Sequence, residues 1–373
     1  MSTLTIAIIS VFVLGYALIA MEGLTKINKA AIALLMFVFC WTLFMVDPAP
    51  FVQLMHPDFS GAGENVVAFA NSLITEHLGD TATTLFFLMG AMTIVEIVDQ
   101  NGGFNWVKNV MQSKTKRSLL WKIAFMTFFL SAILDNLTTS IVMIMILRKL
   151  IHDKHDRMIY ASLVIIAANS GGAFSPIGDV TTIMLWNSGM ITAGGVLSEI
   201  FIPSLVSMLI PAFLLSLSLK GNIQRDELAN DLSGDHEVLE FNGMQRKIIF
   251  AIGVGGLCFV PVFHFFTDLP PFVGILLVLG ILWTITEVFY HNLHKRRGDN
   301  VHFSKRVSTL LSRIDMSTIL FFLGILMAVA CLEEVGVLRE LGSGLNIAFD
   351  GNHYAVTGII GVLSSIVDNV PLV

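Results

Sequence analysis

SAILDNLTTS (131–140) places an aspartate and an asparagine, Asp135-Asn136, between two apolar runs, 118–134 and 137–147. The second run has only 11 residues, about half of what a helical membrane crossing needs. Both flanks are basic: Lys108, Lys114, Lys116, Arg117 and Lys122 lie before the motif, and RKLIHDKHDR (148–157) follows it. Basic loops stay on the cytoplasmic side, so the chain enters and leaves from one face. The reading is a re-entrant hairpin with Asp135-Asn136 at its tip. An ionisable residue at membrane depth is costly and marks a functional site by default. Capping the second hairpin helix is a further role for Asp135, but a serine would serve that role equally well.

The rest of the chain supplies the membrane. Of its 373 residues 55% are hydrophobic and 13% charged, with mean hydropathy +0.78 and net charge −6. A soluble globule would carry about twice that charged fraction. Crossing-length runs lie near 4–20, 30–46, 83–98, 197–219, 247–266, 272–290 and 317–335. The first lacks a basic start and a small-x-small cleavage pattern, so it reads as a helix and not a removed leader. Segment 47–82 contains no Lys or Arg and five acids, whereas 291–316 carries six basic residues and two acids. The former is placed outside and the latter inside, which puts the N-terminus outside. Cys40, Cys258 and Cys331 lie in separate apolar runs without metal spacing and read as core residues.

The tip recurs. LSSIVDNVPLV (363–373) repeats LSAILDNLTTS (130–140), with Asp368-Asn369 in place of Asp135-Asn136, and ILFFLGILMAVACLE (319–333) repeats TLFFLMGAMTIVEIV (84–98). The charge map runs the two copies in opposite directions, and inverted repeats with broken helices are a transporter signature. The expected fold is an all-α polytopic membrane protein of inverted-topology repeats, with re-entrant hairpins and broken transmembrane helices. Its parts are scaffold helices over 1–82, repeat one over 83–220, loops and two scaffold helices over 221–316, and the start of repeat two over 317–373. The pattern expects a return helix, a second broken helix and a last span beyond Val373, so the chain reads as C-terminally truncated.

YASLVIIAANSGGAFSPIGDVTTIMLWNSG (160–189) begins as a membrane helix and then meets Gly171-Gly172, Pro176 and Gly178. Those residues interrupt a regular helix, so one discontinuous crossing is expected. Hard cations such as Na+ want carboxylate, amide, hydroxyl and carbonyl oxygens. The candidate ion-binding residues are Asp135, Asn136, Thr138, Thr139, Asn169, Ser170, Ser175, Asp179 and Thr181, with Asp368 and Asn369 from the second copy. Na+ itself is placed at Asp135, Asn136, Asn169 and Asp179. No Lys or Arg falls within these motifs, which argues against an anion clamp, although half-helix N-termini can bind anions without one. With Asp135 and Asp179 in one cavity, burial and mutual repulsion would let the pair hold a proton near neutral pH. Na+ and H+ would then compete for the same oxygens. The remaining acids (Glu96, Asp99, Glu199, Glu287, Glu333, Glu334) lie near span ends, where an interfacial position accounts for them. His291 and His294 are placed in a cytoplasmic loop, and 226–240 is an acidic cytoplasmic loop.

ILDNLTTSIVM, NSGGAFSPIGDVTTIMLW, SSIVDNVPLV and EGLTKINKAAIALLMF (22–37) together resemble the NhaD-type sodium:proton antiporters of the ion-transporter superfamily, through essentially the whole chain. The resemblance implies exchange of Na+ or Li+ for H+ across a bacterial cytoplasmic (inner) membrane. It also implies a transport domain that moves by alternating access against a scaffold, which often pairs as a homodimer. The alternative is a dicarboxylate or oxyanion transporter of the same superfamily. No HExxH, GxSxG or Cys/His cluster suggests an enzyme, and neither a cofactor nor a nucleic-acid partner is expected.

Overall fold

The computed structural model describes residues 2–59, 64–104, 107, 110–111, 113–151, 153–219, 221–222, 241–297 and 307–364. Its regular structure is helical. In chain order the helices are α1 (Thr3–Ala20), α2 (Glu22–Thr25), α3 (Lys29–Val46), α4 (Ala49–Met55), α5 (Glu64–Gln100), α6 (Lys116–Leu134), α7 (Asn136–Leu150) and α8 (Lys154–Ala173). They continue as α9 (Val180–Asn187), α10 (Ala193–Ser218), α11 (Gly243–Thr267), α12 (Pro271–Arg297), α13 (Val307–Leu310), α14 (Met316–Glu334), α15 (Val337–Ala348) and α16 (His353–Ser364). Eight of the described helices (α1, α3, α5, α6, α10, α11, α12 and α14) are long and apolar enough to cross a membrane. The chain is an all-α, multi-pass membrane protein. Large apolar side chains such as Leu14, Phe213, Phe265 and Phe266 point outward, as lipid-facing side chains do.

Short polar residues start these helices. Ser2, Asn28, Thr115, Asp135, Asp153, Asp179, Thr192, Asn242 and Asp315 each accept a hydrogen bond from a backbone N–H of the first turn. They thereby satisfy donors that a helix cannot satisfy internally. Segment 47–82, expected as an external connection, is instead α4 and the first half of α5. No proline or glycine interrupts Glu64–Leu78, so the helix continues through its polar residues. At 37 residues α5 is about 55 Å long, well beyond the hydrocarbon thickness of a bilayer.

The chain divides into two compact units, Met1–Leu85 with Asp315–Val373, and Phe86–Ile314. The first unit is built on α3 and α14. Gly324 brings α14 so close that a Cβ there would lie 2.5–2.8 Å from the Ala33 and Leu34 backbone, the small-residue approach typical of membrane helices. The Trp41 indole Nε1–H donates to the Met327 carbonyl (2.7 Å), so its buried polar edge is matched. The second unit packs α6, α7 and α10 around α8, and pairs α11 with α12.

Hydrogen bonds give the sense of three helices in the second unit. At one end of α8 the Tyr160 hydroxyl donates to the Lys116 carbonyl (2.9 Å), and Lys116 pairs with Asp156. At the other end the Ser131 hydroxyl donates to the Ala168 carbonyl (2.6 Å). Helices α6 and α8 therefore run parallel. Helix α7 begins beside Asn169 and ends just before Asp153, the N-cap of α8, so it runs antiparallel to both. Helices α6 and α7 form a hairpin whose only non-helical residue is Asp135.

Candidate functional site

Asp135 holds φ +76°, ψ 156°, a backbone region that glycine adopts freely and other residues enter at a cost of about 1–3 kcal/mol. Its side chain accounts for its presence. Oδ1 accepts the Thr138 N–H (2.8 Å) and Oδ2 accepts the Thr138 hydroxyl (2.7 Å). The carboxylate closes the first turn of α7 while the backbone reverses.

The predicted break in the second motif occurs between Ala173 and Val180. Gly171 and Gly178 let it sit against the hairpin, and Gly172 lets it fold back on itself. A Cβ on Gly171 would overlap the Phe128 carbonyl of α6, one on Gly172 would lie 2.5 Å from the Gly178 carbonyl oxygen, and one on Gly178 would lie 2.8 Å from the Ser131 carbonyl oxygen. The stacked rings of Phe128 and Phe174, 4.9 Å apart, close the apolar side. Asp179 ends the break by capping α9. Its Oδ1 accepts the Val180 N–H (2.9 Å) and its Oδ2 the Thr181 hydroxyl (2.6 Å). The Thr182 hydroxyl donates to the Ser175 and Asp179 carbonyls (2.9 Å each), which fixes the break from within.

Tip and break meet at Asn136. Its Nδ2 donates to Asn169 Oδ1 (3.0 Å) and to Asp179 Oδ1 (3.1 Å). Asp179 acts electrostatically on Asp135. The structure thus gathers Asp135, Asn136, Thr138, Asn169, Asp179 and Thr181 around the N-termini of two half-helices. Both half-helices begin with a carboxylate that accepts a backbone N–H and a threonine hydroxyl, from Thr138 alone at Asp135 and from Val180 and Thr181 at Asp179.

Three expected members of the site lie elsewhere. The Ser170 hydroxyl pairs with Ser207 of α10 (2.8 Å), because one residue along a helix turns a side chain by about 100° and Asn169 already faces the tip. Ser175 is buried inside the break, where its Oγ accepts the Ile177 N–H (3.3 Å). Thr139 is fully buried, and its hydroxyl finds no hydrogen-bond partner among the described residues. Asp368 and Asn369 lie outside the described residues, as do 226–240. The stretches 131–140 and 160–189 contain no lysine or arginine. The basic residues of the hairpin sit at its base, where the Arg117 Nε–H donates to the Ser216 and Leu219 carbonyls (2.9 and 3.1 Å).

Glu334, placed near a span end by sequence, is a buried carboxylate held by His56 and His77. Those partners are 278 and 257 residues away, and no local spacing signals them.

Residues 16–373 match the family model CitMHS, described as citrate transporter. Sodium/proton antiporter 1 of Arabidopsis thaliana is 40% identical over 368 residues, which cover 99% of this chain and 59% of that protein. Sodium/proton antiporter 2 of the same plant is 38% identical, covering 97% of this chain and 80% of its own length. Na(+)/H(+) antiporter NhaD of Vibrio parahaemolyticus is 31% identical over 327 residues, covering 81% and 75%. The chain therefore spans little more than half the length of the first of these relatives and most of the other two.

Proposed function

This chain belongs to the citrate-transporter (CitMHS) family, and from that premise we propose that it is a secondary transporter exchanging Na+ or Li+ for H+ by alternating access. The relatives above carry the sodium/proton antiporter name. The loop charges support an N-terminus outside, and the resemblance to NhaD-type antiporters supports a bacterial cytoplasmic membrane. The fit to a transporter leaves the chain no need of enzymatic chemistry. A homodimer through the first unit's scaffold is part of this reading.

One observation carries the choice of a cation. Both half-helix N-termini that converge on the site are already capped by carboxylates, Asp135 and Asp179. Helix N-termini attract anions, but an arriving citrate-like anion would meet two aspartates and no basic residue. A cation meets a set of oxygens. Na+ can take the place of the Asn136 amide between Asn169 Oδ1 and Asp179 Oδ1, with Asn136 turning its own oxygen inward. Asp135 supplies the second charge, and the Thr138 and Thr181 hydroxyls orient the two carboxylates. A proton on Asp179 Oδ1 removes the same acceptor from Asn136. Ion and proton thus compete for one atom, and the side to which the tip opens decides which is exchanged.

The test is addition of Na+ or Li+ to acid-loaded everted vesicles that contain the chain. Collapse of the pH gradient by either ion, with citrate and succinate inert, is the expected result. A gradient that responds to dicarboxylates and not to Na+ or Li+ would replace this reading with the anion transporter.

A further inference from the structure

Unit 1 contains a titratable cluster that the exchange mechanism does not use. Glu334, the last residue of α14, is 6% exposed. Its Oε2 lies 2.8 Å from His56 Nε2, and its Oε1 lies 2.8 Å from His77 Nε2. His56 is the C-cap of α4, and His77 lies on α5. One carboxylate therefore ties three helices together through two imidazoles. The rings are braced by aromatic neighbours. His56 stands edge-on to Phe69 (5.3 Å between centroids), and His77 is tilted against Trp41 (6.2 Å).

A neutral imidazole and an imidazolium can both donate a hydrogen bond from Nε2, so titration leaves the donors in place and changes their charge. With one imidazolium the cluster is neutral. With none it is a buried carboxylate held by two neutral donors, and burying a charge without an opposite charge is costly. Among the described residues no lysine or arginine pairs with Glu334. The surroundings add negative charge: Asp80 and Glu333 both act on His77. Segment 47–82 contributes Asp47, Asp58, Glu64 and Glu76 with no lysine or arginine. Cys331 of α14 is buried near Glu334, and α3 adds buried Cys40. Arg339 and Glu340 lie in the first turn of α15.

The cluster sits beside a joint. Gly336, at φ +82°, turns the chain from α14 into α15, and a Cβ there would lie 3.2 Å from Leu54 Cδ2 and 3.3 Å from Met55 Sδ, both of α4. The helix covering the joint is thus the one whose C-cap histidine holds Glu334.

We propose that His56, His77 and Glu334 form a proton-binding site, separate from the hairpin site, which fastens the end of α14 to α4 and α5 when loaded and loosens it when proton-free. Because 47–82 is the segment without lysine or arginine, the side whose pH it reports is the external one. Imidazole is the side chain suited to change charge in the physiological pH range.

Trp41 provides a readout independent of transport, because imidazolium quenches a neighbouring indole more strongly than imidazole does. Replacing Trp106, Trp121, Trp186 and Trp283 with phenylalanine leaves Trp41 as the one indole in the chain. In detergent, its emission is expected to rise with pH along a single titration curve between pH 5 and 9. His77→Gln should flatten that curve. Glu334→Gln should move its midpoint down by at least about one pH unit, since the charge that retains the proton is gone. Should Glu334→Gln misfold, His56→Gln serves instead: it leaves His77 as sole claimant of the carboxylate and raises the midpoint. Flat Trp41 emission in the parent, or a midpoint that neither substitution moves, overturns the proposal. Either result stands whether or not the chain exchanges Na+.

Discussion

Replacing Asp179 with asparagine tests the site at a single charge. The carboxylate accepts Asn136 Nδ2 and the Val180 N–H at Oδ1, and the Thr181 hydroxyl at Oδ2. Asparagine keeps an oxygen at the first position, so two of these bonds survive as neutral ones. Its NH2 group then faces Thr181 Oγ1, which can rotate and accept. No buried donor is stranded, and the folded state loses only the difference between a charge-assisted and a neutral cap, about 1 kcal/mol. In a chain of this size that lowers the melting temperature by roughly 2 °C. The cation loses more. A charged ligand contributes about 1.5–3 kcal/mol, and each 1.4 kcal/mol is a factor of about ten. The Na+ concentration at half-maximal exchange should therefore rise about 10- to 100-fold. The assay is the Na+ dependence of pH-gradient collapse in everted vesicles, for native and Asp179→Asn chains at equal membrane abundance. Melting in detergent, followed in parallel, guards against misfolding. Native half-saturation and maximal rate in a well-folded Asp179→Asn chain would refute the assignment of Asp179 to the ion.

Neighbouring residues should separate by the direction they face. Asn169→Ala, which removes the oxygen facing Asn136, is expected to raise the Na+ requirement about tenfold. Ser170→Ala, which loses the bond to Ser207, should leave it unchanged and lower stability by about 1 kcal/mol; the same vesicle titration and detergent melts read both. Gly171→Ala forces a methyl group into the Phe128 carbonyl and should cost about 1–3 kcal/mol or more. Gly194→Ala, with open space around it, should change stability by less than about 0.5 kcal/mol, as thermal denaturation of the two variants will show.

Much of the site was legible because it is local. A polar pair between apolar runs, with basic residues on both flanks, marks a hairpin tip. Two glycines, a proline and a third glycine in an apolar segment mark a broken helix. Alternation of loop charge then brings the two together in one membrane. Side-chain direction was less accessible. Asn169 and Ser170 are adjacent in sequence and serve different neighbours, as do Thr138 and Thr139, because the helix separates consecutive side chains by about 100°. The extent of α5 was hidden for a related reason. Hydropathy sees only the most apolar part of a helix, and 64–78 mixes polar and apolar residues yet is free of breakers. Glu334 was hidden altogether, since nothing within a few residues of it indicates a histidine partner.

The geometry also bears on how the proposed exchange would be coupled. Asp135 occupies a backbone conformation in which glycine would be at ease, and capping alone could be met by asparagine or serine. A strained position that keeps a carboxylate points to a need for the charge. The neighbouring contacts show how that charge is shared. Asn136 Nδ2 lies between Asn169 Oδ1 and Asp179 Oδ1 and holds the tip to the break. A cation placed between those oxygens displaces the amide, while a proton on Asp179 removes the acceptor. Each event breaks the Asn136–Asp179 bond, so the two compete for Oδ1. Simultaneous occupancy, which cotransport requires, would need a further set of acceptors beside Asp179. There the Val180 N–H and the Thr181 hydroxyl take up two of the remaining lone pairs, which leaves one on Oδ2. On the proposed reading, ion and proton compete for Asp179 Oδ1, and that competition couples their exchange once the tip opens to alternate sides.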